Sequence, residues 1–244
     1  MKRILTIAIW GLLALVILVV VTVATILTYR EMHLHNPKEV PSTQAASQVL
    51  RPAPNPLRNA YFGDLHVHTS MSLDANIFDT RNGPRMAYAF AKGAEIELPG
   101  TGIRQRLMTP LDFAAVTDHA EGMGAMHTCY DRGGDNYWSL DCLGVRHQIL
   151  LLFPRLFANV QQSGSTLAKY NPGMCGAAGK ACVDGSNGVW QDMQNAAREH
   201  YQPGTFTTFN GFEYSPTLVR GGMLHRNVIF RGDTVPFNVF SAMD

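Results

Sequence analysis

The chain has 244 residues and a formal net charge of +1, with 46% hydrophobic and 16% charged residues. This composition is ordinary for a globular enzyme or binding domain. No basic stripe with interleaved aromatic residues is present in the sequence, so we expect no nucleic-acid partner.

The first predicted element is an uncharged run from Ile4 through Tyr29. A helix of this length can cross a hydrocarbon core of about 30 Å, because each residue adds about 1.5 Å. A cleaved signal peptide is the alternative, but its apolar region is about 7–15 residues long and ends in a small-x-small site, which Thr25–Tyr29 does not offer. We therefore predict an uncleaved signal anchor in residues 1–30, with residues 4–29 in the lipid bilayer.

The charges around this run predict its orientation. Lys2 and Arg3 precede it, whereas Arg30 and Glu31 follow it as a mixed pair. The positive-inside rule therefore places the amino terminus in the cytoplasm and exports the rest of the chain. We predict a single-pass protein of the inner (cytoplasmic) membrane whose folded domain lies in the periplasm or outside the cell.

Residues 31–58 are predicted to be a flexible linker, because they contain five prolines and a polar Ser-Thr-Gln segment. His33 and His35 lie in this linker with no strand to hold them, so we do not expect this pair to bind metal. One folded domain is expected over residues 59–244, which is long enough for a single sizeable core.

The domain is predicted to alternate strands and helices. Pro84 opens its first helix and Gly93 closes it. Strands separated by helices indicate βα units and a mainly parallel sheet, so the predicted fold class is α/β. The predicted strands are Tyr61–Val67, Leu111–Thr117, Phe206–Phe212 and Asn227–Arg231, the predicted helices are Arg85–Lys92, Ser139–Phe153 and Val189–Tyr201, and segment 161–188 is predicted to be a loop pinned by a disulfide.

The cysteines agree with export. There are four, Cys129, Cys142, Cys175 and Cys182, and an even number in an oxidising compartment suggests two disulfides. Of the three possible pairings, Cys129–Cys142 and Cys175–Cys182 close the shortest loops and are preferred. A zinc site is the alternative, although no Cys-x2-Cys pair is present. Free buried thiols are expected if the domain is not exported.

Histidines and a carboxylate follow the predicted strands. His66 and His68 are spaced i, i+2, so on a strand both imidazoles lie on one face and can reach the same metal ion. His119 ends the second predicted strand and Glu213 the third, and His225 follows soon after. Because functional sites of α/β folds lie at the carboxyl ends of strands, we predict that these side chains meet in a metal site.

The motifs around these residues resemble a known family. The chain is similar to the polymerase-and-histidinol-phosphatase (PHP) superfamily, and more closely to its DUF3604 branch, over about residues 58–240. The matching motifs are Arg-Asn-Ala-Tyr-Phe-Gly-Asp-Leu-His-Val-His-Thr-Ser, Pro-Leu-Asp-Phe-Ala-Ala-Val-Thr-Asp-His-Ala-Glu, Gly-Phe-Glu and His-Arg-Asn-Val. The resemblance implies a distorted (βα)7 barrel that binds two or three divalent metal ions, usually zinc, manganese or iron.

The resemblance also implies which residues bind the metals. His66 and His68 would hold the first ion, and Asp74 stands where the superfamily places a further ligand. The alternative for Asp74 is a loop carboxylate that caps a turn. His119 and His225 would bind the second ion.

Two carboxylates are expected to act in the chemistry. Glu213 would bridge two ions, because an anionic bridge offsets the repulsion between cations about 3.5–4 Å apart. Asp118 would orient the site by supporting its ligands. Most known activities of the superfamily are phosphoester hydrolysis, so the expected substrate is a small anionic, phosphoester-like molecule.

The chain departs from the superfamily pattern near its carboxyl end. Superfamily members carry another His and a late Asp-x-His, but no histidine follows His225. We therefore expect an amino-terminal fragment with a partial barrel and weakened metal binding. Two other functions stay open: metal-dependent hydrolysis of an ester or amide bond, and a non-catalytic, metal-stabilised binding domain or inactive fragment.

Overall fold

The computed structural model describes residues 2–32, 53, 55–56, 58–98, 101–149, 171–176, 179–216 and 224–241. The chain divides into two compact units, Met1–Leu34 and His35–Asp244. Most of the predicted linker lies outside the described residues, as do His33 and His35 and residues 161–170 of the predicted loop.

The first unit is built on one helix, α1 (Lys2–Met32). Its segment Ala8–Met32 is long and apolar enough to cross a membrane, with a mean hydropathy of 2.8. Thr25 and Thr28 are compatible with apolar surroundings, because each hydroxyl donates to the backbone carbonyl four residues earlier at 2.8 Å. A membrane anchor and a signal sequence share these properties, and the predicted orientation stays a prediction.

The second unit mixes short helices with short strands. The predictions for Tyr61–Val67, Arg85–Lys92, Leu111–Thr117 and Asn227–Arg231 are each confirmed to within two residues. The helices are α2 (Leu73–Ile77), α3 (Pro84–Ala91), α4 (Met123–Tyr130), α5 (Leu140–His147), α6 (Pro172–Cys175) and α7 (Lys180–His200), and the strands are β1 (Gly63–Val67), β2 (Ile96–Leu98), β3 (Ile103–Gln105), β4 (Phe113–Val116), β5 (Thr207–Phe209), β6 (Gly211–Tyr214) and β7 (Arg226–Ile229).

The main sheet is parallel, as predicted. β4 lies at its centre and pairs in parallel with β1 on one side and β5 on the other. Beyond the end of β4, His119 forms a parallel bridge with Glu213 of β6, so the carboxyl ends of β1, β4 and β6 face the same region. The described residues form no closed barrel, and the (βα)7 barrel therefore stays a prediction.

Two antiparallel pairs complete the described strands. β2 pairs with β3, and β6 pairs with β7. The single strand predicted over Phe206–Phe212 is wrong in detail, because Asn210 separates β5 from β6. The carbonyl of Asn210 accepts the backbone N–H of Phe230 at 2.9 Å, which sets the start of the β6–β7 pair.

The main core lies between this sheet and the helices α3 and α7. Trp190 of α7 is completely buried and packs edge-to-face on Phe212 of β6, with 5.6 Å between ring centroids. Tyr88 of α3 is also buried, and its hydroxyl accepts the backbone N–H of Val116 in β4 at 3.2 Å. Burying a large apolar side chain stabilises a fold by about 1.5–3 kcal/mol. These contacts hold the two helices against strands that carry the site.

The predicted loop 161–188 is wrong where the structure describes it. Residues 180–188 belong to α7, which begins nine residues before the predicted Val189. α4 packs against this first part of α7 through glycines. A Cβ atom on Gly124 would lie 1.9 Å from the carbonyl oxygen of Cys182, so only glycine allows the approach. The predicted helix Ser139–Phe153 is also shorter than expected, because α5 ends at His147 and the next residue, Gln148, has a φ of 52°.

Both predicted disulfides are confirmed. Cys129–Cys142 joins α4 to α5, and Cys175–Cys182 joins α6 to α7. No free cysteine remains, so the zinc-site and free-thiol alternatives are excluded for these four residues. The half-cystines form a second apolar cluster together with Met126, Val145 and Met174.

Candidate metal centre

The six residues predicted as metal ligands lie together in the structure. They form three overlapping groups of three, and in each group one potential ligand atom from every residue lies within 4.8 Å of the others. The groups are His66–His68–Glu213, His68–Asp74–His119 and His119–Glu213–His225.

The first group gathers at the end of β1. Nε2 of His66 lies 2.8 Å from Oε2 of Glu213, and Nε2 of His68 lies 2.6 Å from the same oxygen. The two Nε2 atoms are 3.1 Å apart. Strand alternation places both rings on one face, and the carboxylate of Asp64 holds the backbone at His66 by accepting its N–H at 2.9 Å.

The second group involves Asp74 in the first turn of α2. Its carboxylate oxygens lie 2.9 and 3.1 Å from Nδ1 of His68, and Oδ2 lies 3.6 Å from Nε2 of His119. Ser72 ties the group together, because its hydroxyl donates to Asp74 at 2.6 Å and accepts the backbone N–H of His119 at 3.2 Å. Asp74 can therefore act as a ligand or as the carboxylate that orients a ligand histidine.

The third group lies on the other side of Glu213. Nδ1 of His225 is in close contact with Oε1 of Glu213, and Nδ1 of His119 lies 3.8 Å from that oxygen. The two oxygens of Glu213 thus face different groups, Oε2 towards His66 and His68 and Oε1 towards His119 and His225. This arrangement suits a carboxylate that bridges two ions.

Asp118 belongs to none of the three groups, but it contacts the residue that follows His68. It is fully buried, and its carboxylate accepts both the backbone N–H and the hydroxyl of Thr69, the latter at 2.7 Å. Thr69 follows His68, so these bonds fix the end of β1. Burial outweighs the Thr69 bonds and raises the pKa of Asp118 to about 6.

The charges of Glu213 and its neighbours depend on one another. Burial opposes ionisation of Glu213, but His119 and hydrogen bonds with His66, Ser215 and His225 outweigh it and lower the pKa of Glu213 to about 2. The carboxylate is therefore anionic at neutral pH, and positive charge on the His119 ring compensates it in the metal-free chain.

The second group shows the same compensation. Burial lowers the pKa of the His119 ring, but the carboxylates of Asp74, Glu121 and Glu213 outweigh it and raise that pKa to about 10. Burial also opposes ionisation of Asp74, whose pKa is nevertheless held well below its usual range by His119 and His68. Metal ions at the same position would replace protons on these rings.

The centre is partly open to solvent. The side chains of His66, Asp74 and His225 are 54%, 46% and 45% exposed, whereas that of Glu213 is completely buried. A substrate can therefore reach the cluster at these three residues, with Glu213 shielded from solvent.

A match to a protein family shows to which proteins the chain is related. A family described as "Protein of unknown function (DUF3604)" matches residues 55–244, which is most of the sequence. The chain belongs to the DUF3604 family. No curated protein and no solved structure matches it. The DUF3604 part of the resemblance is thus confirmed, and membership of the PHP superfamily stays a prediction.

Three polar residues of this DUF3604 chain contribute to the centre and were not predicted. Ser72 and Thr69 hold the predicted residues as described above, and Ser215 lies within 3.0 Å of three of their atoms. The sequence does contain a signal for Ser215. It stands two residues after Glu213, and in extended backbone such a pair of side chains points to the same side. Ser72 and Thr69 lie in a turn, where spacing gives no such signal.

The donor set fits divalent metal ions. Imidazole nitrogens and carboxylate oxygens are the ligands that zinc, manganese and iron use in proteins. In this DUF3604 chain, Nε2 of His66, Nε2 of His68 and Oε2 of Glu213 converge within 3.1 Å of one another, as ligands of one ion do.

Proposed function

We propose that this DUF3604 chain is a membrane-anchored, exported metal-dependent hydrolase that acts on phosphoesters. The observation that carries the proposal is the position of Glu213, whose two oxygens face two different groups of histidines. His66 and His68 lie in and just after β1, whereas His119 follows β4 and His225 precedes β7. Such a bridging carboxylate is typical of sites that hold two metal ions for hydrolysis.

The candidate ligands would be distributed over two metal ions. His66, His68 and Glu213 would hold one ion, and Glu213 and His225 a second. His119 would complete either this second set or a set with His68 and Asp74, in which Asp74 is a ligand or the partner of His68. When bound, two such ions lower the pKa of a water molecule towards neutrality and stabilise charge on a leaving oxygen.

Other residues would orient these ligands and admit the substrate. Asp118 holds Thr69, and through it the end of β1, so it would keep His68 in place. The exposed side chains of His66 and His225 would border the substrate, and bound metal ions would supply positive charge that attracts an anionic substrate. Glu213 would remain shielded from water beneath them.

The fold of the complete site is also part of the proposal. Parallel pairing of β1, β4 and β5, with His68 and His119 just beyond the carboxyl ends of β1 and β4, supports a partial, distorted (βα)7 barrel of the PHP type. Export is supported by the apolar helix α1 and by two disulfides, which form and persist in oxidising compartments.

The test is hydrolysis by the full chain in detergent after chelation and after addition of zinc, manganese or iron(II). p-Nitrophenyl phosphate and bis(p-nitrophenyl) phosphate serve as phosphoesters and p-nitrophenyl acetate as the ester. We expect metal-dependent cleavage of a phosphoester and inhibition by inorganic phosphate. Glu213→Gln should lose most turnover, whereas Glu97→Gln, which changes an exposed glutamate on β2, should retain it.

The other outcomes point to other functions. Cleavage of the acetate alone would reassign the centre to ester hydrolysis. Metal-dependent thermal stability without any hydrolysis would favour a non-catalytic binding domain. Full activity of Glu213→Gln would refute the bridging role of that carboxylate.

A further inference from the structure

The hydroxyl of Ser215 lies at a point where three side chains of the metal centre meet. Its Oγ is 3.0 Å from Nδ1 of His119, 3.0 Å from Nδ1 of His225 and 2.9 Å from Oε1 of Glu213. The residue is only 4% exposed. A buried hydroxyl in this position must distribute one proton and two lone pairs among these partners.

The chemistry of the partners decides this distribution. Glu213 is a carboxylate and can only accept, so the single proton of Ser215 is donated to its Oε1. The lone pairs of Oγ are then left for N–H donors, and Nδ1 of His119 is the donor from the more buried ring, with a side chain 11% exposed. The result is a chain of hydrogen bonds from His119 through Ser215 to Glu213.

This chain has a consequence for metal binding. A neutral imidazole has one lone pair, yet His119 belongs to two of the three candidate groups and can serve only one of them. When Nδ1 carries the proton, the lone pair is on Nε2, and Nε2 faces Asp74 at 3.6 Å. Ser215 therefore selects the side on which His119 can bind an ion.

The backbone holds Ser215 in place for this role. It lies two residues after Glu213 in extended backbone, so the two side chains point to the same side of the chain. Its own N–H donates to Oε2 of Glu121 at 3.1 Å, and the Glu121 side chain is only 12% exposed. The backbone of Ser215 is thus held by a contact separate from the three side chains that its hydroxyl meets.

We propose that Ser215 is a positioning residue of the metal centre. Its hydroxyl accepts the Nδ1–H of His119 and donates to Oε1 of Glu213, so that His119 presents Nε2 to an ion on the Asp74 side and Glu213 keeps its orientation. This role deepens the proposed function and rests on metal binding by the cluster.

The tautomer of His119 can be measured directly. Long-range ¹H–¹⁵N NMR of the zinc-loaded full chain in detergent, with labelled histidine, distinguishes Nδ1–H from Nε2–H, and the His119→Gln spectrum assigns the signal. We expect Nδ1–H in the wild-type protein. An Nε2–H tautomer would mean that Nδ1 binds the ion, and it would overturn the proposal without any need for a Ser215 variant.

Zinc affinity of variants gives a second, independent measurement. Loss of a residue that orients a ligand typically costs about 10–100-fold in metal affinity, so we expect this loss in Ser215→Ala. Ser215→Thr keeps the hydroxyl and should stay within a few-fold of wild type. The matched control is Ser139→Ala, which removes the hydroxyl that caps α5 away from the centre and should leave zinc affinity unchanged.

The outcomes separate this role from the proposed function. A wild-type chain that binds no zinc contradicts both. A wild-type chain that binds zinc, together with Ser215→Ala of equal affinity, contradicts only the positioning role of Ser215.

Discussion

His119 and Glu213 are held side by side by backbone hydrogen bonds. The N–H of Glu213 donates to the carbonyl of Asp118 at 3.0 Å, and the N–H of Ala120 donates to the carbonyl of Glu213 at 2.9 Å. These bonds form the parallel bridge between the two residues. Because sheet pairing fixes both Cα positions, the two side chains are brought together before any metal binds, as a preorganised site requires.

The first prediction concerns metal-dependent stability. A ligand that binds only the folded chain stabilises it by about 2.7 kcal/mol at a concentration of 100 times its Kd. Added zinc should therefore raise the unfolding temperature of the wild-type chain, measured by differential scanning fluorimetry. Glu213→Gln should show a much smaller rise, because the amide cannot bridge two ions. An equal rise in unfolding temperature for wild type and Glu213→Gln would show that Glu213 is not a ligand. Glu97→Gln serves as the control for the loss of one negative charge.

The second prediction concerns the support from Asp118. In Asp118→Ala both acceptors are removed, so the buried backbone N–H of Thr69 loses its partner. An unsatisfied buried donor costs about 1–3 kcal/mol, and we expect a decrease of this size in the free energy of unfolding of the metal-free chain in urea. Thr69→Ser keeps both donors and should remain near wild type. If Asp118→Ala were as stable as wild type, these bonds would contribute nothing to the fold.

The candidate site could be predicted from the sequence better than the architecture around it. Each of the six ligand positions follows a strand signal or a motif, and parallel strands bring their carboxyl ends together whatever their exact lengths. Asp118 and His119 are adjacent in sequence, yet their side chains point in different directions. The carboxylate of Asp118 contacts Thr69, whereas the ring of His119 lies in the cluster. Sequence spacing alone does not show which of them joins the candidate metal centre.

The start of α7 shows why the rest could not be predicted. Gly185, Asn187 and Gly188 disfavour a helix in isolation, so their stretch was predicted to be a loop. In the folded chain, Gly185 faces Gly124 of α4, and a Cβ atom there would lie 3.0 Å from the Gly124 carbonyl. These glycines permit close helix packing next to the Cys175–Cys182 disulfide. Tertiary contacts that override local propensity in this way leave no local signal.

The third prediction concerns the disulfides. Cys129–Cys142 spans 13 residues and Cys175–Cys182 spans 7. The chain-entropy relation gives about 3 kcal/mol for the first loop and slightly less for the second. We therefore expect the double variant Cys129→Ala/Cys142→Ala to lose more stability in urea than Cys175→Ala/Cys182→Ala. Dithiothreitol should destabilise the wild-type chain and leave a variant without all four cysteines unchanged. A larger loss of stability in Cys175→Ala/Cys182→Ala would show that strain or packing, and not loop entropy, determines how much each disulfide stabilises the fold.

The fourth prediction concerns α1. Fusing alkaline phosphatase after residue 244 should give an active enzyme, because this reporter folds only after export, and the fusion should remain in the membrane after alkaline carbonate extraction. An arginine at the centre of a spanning helix costs about 2.5–3.5 kcal/mol, so Leu18→Arg should reduce membrane retention, whereas Leu18→Ile should not. A soluble, active fusion that lacks α1 would show instead that the helix is a cleaved signal sequence.

The fifth prediction concerns His200, the last residue of α7. Burial and the nearby charge of Lys92 lower the pKa of His200 to about 4. Its ring stacks on Tyr88 with 5.8 Å between centroids, and its Nδ1 has no hydrogen-bond partner in the described part of the chain. An unfolded histidine has a pKa of about 6.5. Between these two pH values the unfolded chain therefore binds the extra proton, and stability is lost as the pH falls from 6.5 to 4.

The size of this effect can be isolated by substitution. The pKa difference corresponds to at most about 3 kcal/mol. His200→Phe can still pack against Tyr88 but cannot titrate, so its free energy of unfolding should fall less steeply over this pH range than that of wild type. His127→Asn, which removes an exposed histidine of α4, should keep the wild-type slope. The chain must be metal-free, because protonation of the ligand histidines would otherwise add its own pH dependence. Identical slopes for His200→Phe and wild type would show that His200 titrates normally and that its burial does not oppose the charged form.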